Sequence, residues 1–168
     1  LSSDADTVFI LEGIEDVDAI KCSDGRKTIT HIQVKYSTQH QDASFMDSVL
    51  KNYLEAYLID KDRYFKLVYD FSVASGNLRK LFLGNLDKNS KEFWKTKIDN
   101  IKNETASWNW SDFNFEDFMH RLSFINVKKD SLEKSIEDFL IKNFEIETDN
   151  ISLFANGIKL LCLDKMES

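Results

Sequence analysis

A chain of 168 residues with 42% hydrophobic, 12% aromatic and 30% charged residues is long enough for one domain with a packed core and too short for two full-sized ones. Its net charge of −7 argues against a free-standing nucleic-acid binder, because phosphate contacts need a basic face and supply most of the nonspecific affinity. No run reaches the roughly 18 apolar residues of a membrane span, no charged-then-apolar export signal opens the chain, and Cys22 and Cys162 give neither a disulfide framework nor a zinc pattern. A cytoplasmic protein with reduced thiols and no membrane partner is therefore expected, and a chain that opens on Leu1 implies a fragment of a larger protein.

Val8 to Leu11 is a short apolar run, followed by the acidic stretch from Glu12 to Asp18. Asp24-Gly25 is a strong hairpin signal, and the β-branched, alternating segment from Ile29 to Tyr36 completes a predicted β-hairpin. Phe45, Val49, Leu50, Tyr53, Leu54, Tyr57 and Leu58 recur at helical spacing and predict an amphipathic helix over 43–59. Tyr64 to Phe71 reads as a third strand, so the order strand, strand, helix, strand is an α/β arrangement with the helix as crossover. Beyond Gly76 the pattern turns helical: 78–86, 91–101 and 115–122, with Trp108-Asn109-Trp110 as a loop and 124–127 as a short added strand. Ser131 is read as the cap of a helix carrying Leu132, Ile136, Phe139, Leu140 and Phe144, and Asn150 as the cap of a last helix through Leu153 and Leu161. The expectation is one domain over 1–168, with an α/β core over about 1–87 and a helical extension over about 88–168.

Side chains alternate across a strand, so His31, Gln33 and Lys35 share one face of their strand while Ile32, Val34 and Tyr36 share the other. The partner strand divides likewise, with Asp16 and Asp18 opposed to Val17 and Ala19, which predicts one core face and one polar face. If Asp24-Gly25 is a two-residue turn, Asp16 lies opposite Gln33; a loop two residues longer puts Asp18 there. Either register gathers acid, amide and ammonium, and hard oxygens from Asp and Gln suit Mg²⁺ (or Mn²⁺) while Lys35 can hold water or stabilise developing charge. Each of these residues alone is ordinary surface decoration; it is their order, acids, turn, Gln-x-Lys, that points to phosphodiester hydrolysis.

The segments Leu11 to Ile20 and Ile32 to Tyr36 resemble the PD-(D/E)xK, restriction-endonuclease-like superfamily in the variant where Gln precedes the lysine, as in Mrr-type enzymes, and more closely the effector nuclease domain of CD-NTase-associated antiphage endonucleases. The resemblance is specific over about Glu12 to Tyr36 and general thereafter. It implies a mixed sheet flanked by helices, Asp16 or Asp18 as metal-binding acid, Gln33 as second ligand, Lys35 as catalytic lysine and Glu12 as auxiliary ligand. It also implies cleavage of double-stranded DNA, an antiviral defence role, a fused or associated sensor or ATPase domain, and a homo-oligomer when active. The family's usual N-terminal helix is not expected in a chain that opens on Leu1.

His31 reads as a polar neighbour, His40 and His120 have no partner at ligand spacing, and Trp108 and Trp110 read as core anchors rather than base-stacking platforms. Lys61, Arg63, Lys66, Arg79 and Lys80 read as solvated charge. The rivals are an inactive module of the same fold used for protein assembly, a nuclease for RNA or single strands, and a non-enzymatic helical scaffold that binds no divalent ion.

Overall fold

The computed structural model describes residues 7–11, 16–23, 26–73 and 76–144. Three strands open the chain, β1 (Thr7–Leu11), β2 (Asp16–Ser23) and β3 (Arg26–Tyr36), each antiparallel to the next. Ser23 pairs with Arg26, so two residues join β2 to β3, and Asp16 falls opposite Gln33 while Asp18 falls opposite His31. The shorter of the two expected loops therefore holds. Asp24 and Gly25 themselves lie outside the described residues.

Asp42 caps the next turn, its carboxylate accepting from the Ser44 amide at 2.8 Å, and a 3₁₀ turn over Ala43–Phe45 leads into α1 (Met46–Ile59). Met46, Val49, Leu50, Tyr53, Leu54 and Tyr57 form its buried stripe, the 3.6-residue spacing read from the sequence. That helix returns the chain to β4 (Tyr64–Asp70), which lies parallel to β3 with Gln33 beside Leu67 and Lys35 beside Tyr69.

Past Gly76, whose φ of 93° suits glycine, come α2 (Asn77–Phe82) and α3 (Lys88–Glu104). The sequence reading began the second of these at Lys91; Asp87 starts it earlier by accepting from the Ser90 amide at 2.8 Å. Trp94, Ile98 and Ile101 of α3 join the buried cluster that α1 and β4 build. Next is α4 (Phe115–His120), capped by Asn114, and Leu122, which the periodicity put in that helix, instead opens β5 (Leu122–Asn126) parallel to β4. The last described element, α5 (Lys129–Phe144), starts two residues before Ser131; the helix expected after Asn150 lies outside the described residues.

The result is an α/β fold with a mixed five-stranded sheet in the order β1-β2-β3-β4-β5. The second half is mostly helical, yet it supplies the fifth strand and shares one core with the first half, because Phe118, Leu122 and Phe124 pack on the same cluster as Phe65 and Tyr57. Among the described residues no helix is long and apolar enough to cross a membrane.

Candidate functional site

The face of the sheet that packs beneath α1 is apolar on β4, where Phe65 and Leu67 are fully buried, and polar on β2 and β3. There Asp18, His31 and Gln33 are 3%, 7% and 1% exposed. The alternation along β3 predicts a polar face opposed to the core; the structure buries that face instead, and leaves Val34 and Tyr36 on the other side 43% and 59% exposed. The reason is the parallel register: His31 and Gln33 stand beside Phe65 and Leu67, so whatever face α1 covers on β4 it also covers on β3.

Buried polar groups need partners, and the first of these has them. His31 Nδ1–H donates to Asp18 Oδ1 at 2.8 Å, and Arg63 donates from an Nη to Asp18 Oδ2 at 3.1 Å. The His31 ring meets the edges of Tyr53 and Phe65, with centroids 5.8 and 6.4 Å away. Arg63, which the sequence placed among solvated charges, thus reaches from the start of β4 to β2 and is largely covered. Only the register of β4 against β3 brings positions 18 and 63 together, and no spacing along the chain signals it.

Gln33 differs. Its side chain is almost fully buried and its Oε1 has no hydrogen-bond partner among the described residues. Asp16 takes the register position opposite it. Lys35, two residues on along β3, is half-buried, and burial holds its ammonium below the ordinary lysine value. Burial likewise pushes up the hydroxyl of Tyr69, its neighbour in register. Glu12 lies outside the described residues.

An amide oxygen taken out of water without a donor is a destabilising feature, and an unsatisfied buried acceptor asks for a cation or an ordered donor. Gln33 Oε1 is a hard oxygen of the kind a divalent ion takes, and the Asp16 register position lies opposite it. Both oxygens of Asp18 are already engaged, one by His31 and one by Arg63. Among the described residues no three His, Cys, Asp or Glu side chains gather at metal-binding distances, and His40 and His120 are exposed and apart. Trp110 is buried, donates to the Thr105 carbonyl at 3.1 Å and stacks on Trp108, as a core anchor does.

No protein-family model matches the chain, and no curated protein does. Solved structures do. The Acinetobacter baumannii Cap4 SAVED/CARF-domain containing receptor with the cyclic trinucleotide 3'3'3'-cAAA aligns with a TM-score of 0.54 at 10% identity, over 95% of this chain and 36% of that one. The same receptor without that ligand gives 0.52 at 11% identity over 95% and 37%. The Moraxella osloensis Cap4 SAVED/CARF-domain containing receptor gives 0.50 at 15% identity over 98% and 39%. At such identities the likeness is one of fold, and the chain spans less than two fifths of the receptors it matches.

Proposed function

We propose that this domain is a metal-dependent endonuclease module that hydrolyses phosphodiester bonds of double-stranded DNA, with Asp16 and Gln33 holding Mg²⁺ or Mn²⁺ and Lys35 as the catalytic cation. The observation that carries this reading is the buried, unpartnered Gln33 Oε1 opposite Asp16 and on the same strand face as Lys35. When bound there, the ion supplies Lewis-acid charge and lowers the pKa of a coordinated water. Gln33 contributes a neutral oxygen that leaves the site's charge to Asp16, and the apolar wall of Leu67 beside it excludes bulk water. Lys35, half-buried, places a fixed positive charge where negative charge grows on the phosphate. Asp18, through His31 and Arg63, positions the strand pair rather than the cation.

The receptors similar in fold run well beyond the matched part, and we take this chain likewise as one module of a longer protein, coupled to a sensor or ATPase part and serving antiphage defence. Oligomerisation of that longer protein would hold substrate against a chain of net charge −7.

Plasmid relaxation in Mg²⁺ or Mn²⁺ tests the reading. Cleavage is expected from the full-length protein and lost in Lys35→Ala and Gln33→Ala, with circular dichroism and melting showing both variants folded. The second reading is an inactive module of this fold that docks a partner protein, and the engagement of Asp18 by His31 and Arg63 favours it by removing one hairpin acid from metal binding. If no divalent ion supports cleavage and none binds in a Mn²⁺ titration followed by electron paramagnetic resonance, that second reading replaces the first.

A further inference from the structure

The β2–β3 ribbon pairs further out than the described parts of the strands on either side of it. β4 begins opposite Thr30, and the described part of β1 ends opposite Lys21, so among the described residues the pairs Cys22–Lys27 and Ser23–Arg26 have no third strand beside them. Lys21, Cys22, Arg26, Lys27 and Thr28 are all exposed, whereas three residues further on His31 is buried. Between positions 21 and 30 the sequence carries Lys21, Arg26 and Lys27 against the single acid Asp24, in a chain whose net charge is −7. Neither Arg26 nor Lys27 has an acidic partner among the described residues, although the lysines at 61, 80, 91, 97 and 128 each do.

We propose that this ribbon is an arm that grips duplex nucleic acid, entering a groove with Arg26 and Lys27 on the phosphates of its two walls. Adjacent strand residues face opposite sides, so these two cations stand on opposite faces of the ribbon. A two-stranded ribbon fits the width of a major groove, whose two walls both carry phosphates. From Lys27 to Gln33 is six strand residues, about 20 Å at the usual rise of about 3.3 Å per residue. That is the length of about six stacked base pairs at about 3.4 Å each, so one duplex can touch the arm and the cleavage site together. The proposal rests on the reading of the Gln33 site as a nuclease, and it answers that reading's weakest point: where an acidic chain holds a polyanion.

The test is fluorescence anisotropy of a labelled 30-base-pair duplex with the full-length protein carrying Lys35→Ala, against the same protein with Arg26→Glu and Lys27→Glu added, over a range of salt concentrations. At least tenfold weaker binding is expected, with the slope of log affinity against log salt reduced by about 2, one unit for each phosphate no longer neutralised. Arg26→Ala with Lys27→Ala is expected to go halfway, at an unchanged melting temperature because both side chains are exposed. In a protein with Cys162→Ser, duplex is also expected to slow alkylation of the exposed Cys22 opposite Lys27. Equal affinity and slope for the charge-reversed protein, or no duplex binding by either, overturns the arm. Equal loss of binding to polyglutamate, a polyanion without grooves, overturns its assignment to duplex. Equal duplex affinity of the two proteins leaves the cleavage site untouched, since that site stands or falls by metal-dependent cleavage lost in Lys35→Ala.

Discussion

One face of one sheet is built in two ways. Where α1 covers β4 it meets Phe65 and Leu67, and the ring contacts continue through Tyr57, Phe118 and Phe113 without a break. Where it covers β3 it meets His31 and Gln33, with Asp18 behind them. The apolar half is what the hydrophobic effect builds unaided. The polar half is destabilising unless each group finds a partner, and one of them, Gln33 Oε1, finds none among the described residues. Among the described residues Arg63 Nε, Ser90 Oγ and Trp94 Nε1 are also buried without a partner, so what sets Gln33 apart is its place, opposite the Asp16 position and on the strand face that carries Lys35.

The apolar half should carry most of the stability. Trp94, fully buried between α3 and the rest of the core, is expected to lose about 3–5 kcal/mol of unfolding free energy as Trp94→Ala, the usual range for deleting a large buried ring. Urea denaturation checks this. A loss under about 1 kcal/mol would mean that α3 adds little to the shared core.

In the polar half the outcome depends on which partner is removed. Asp18→Ala strands Arg63, whose side chain is only 19% exposed, and is expected to destabilise by about 2–4 kcal/mol. Adding Arg63→Gln should return at least about 1 kcal/mol, because the stranded charge goes too; a double-mutant cycle on urea midpoints shows whether the two positions are coupled. Mn²⁺ binding is expected to survive Asp18→Asn and to vanish in Asp16→Asn, which separates the positioning acid from the ligand.

Gln33→Leu sets the two halves most directly against each other. It replaces the unsatisfied amide with an apolar side chain of similar size beside Leu67, so stability should rise by about 1 kcal/mol, or about 2–4 °C in melting temperature for a chain of this size. Divalent-ion binding and cleavage should disappear in the same protein. A lower melting temperature would show that Gln33 is satisfied in solution, and would remove the observation on which the proposed function rests.

The hairpin was legible because Asp24-Gly25 is a strong turn signal and the side-chain period of a strand is two, but the sequence left two registers open and the pairing of Ser23 with Arg26 decides between them. The α1 stripe was legible because one residue in every three or four is apolar. Three things were not. The burial of His31 and Gln33 depends on which face α1 chooses, and the β3 alternation, with its apolar Ile32, Val34 and Tyr36, argued for the other one. Arg63 meets Asp18 across 45 residues, a contact that exists only once β4 lies beside β3. Leu122 sits at helical spacing from Phe118 and at strand spacing from Phe124, and the parallel pairing with β4 decides between them.

The smallest expected effect lies at the far side of the apolar half, where α1 meets α4. Tyr57 donates to Asp117 at 2.7 Å, and Arg121 donates to both oxygens of the same carboxylate. Those hydrogen bonds, Arg121 first, hold the Asp117 carboxyl below its ordinary value, while burial and the bond to Asp117 push the Tyr57 hydroxyl up to about 12. A depressed carboxyl adds stability above its unfolded pKa and loses it as pH falls through the folded one; a raised phenol adds stability below its unfolded pKa and loses it as pH climbs through the folded one. The bridge is therefore intact from about pH 5 to about pH 10 and weakens outside that window. Because the Asp117 side chain is 41% exposed, solvent screens the interaction and its worth stays below about 1 kcal/mol. Asp117→Asn should accordingly lower the melting temperature slightly at pH 7 and flatten its decline between pH 5 and pH 3. An unchanged acid slope would mean that another carboxyl governs acid unfolding and that α4 is held to α1 by the Tyr57 and Phe118 rings alone.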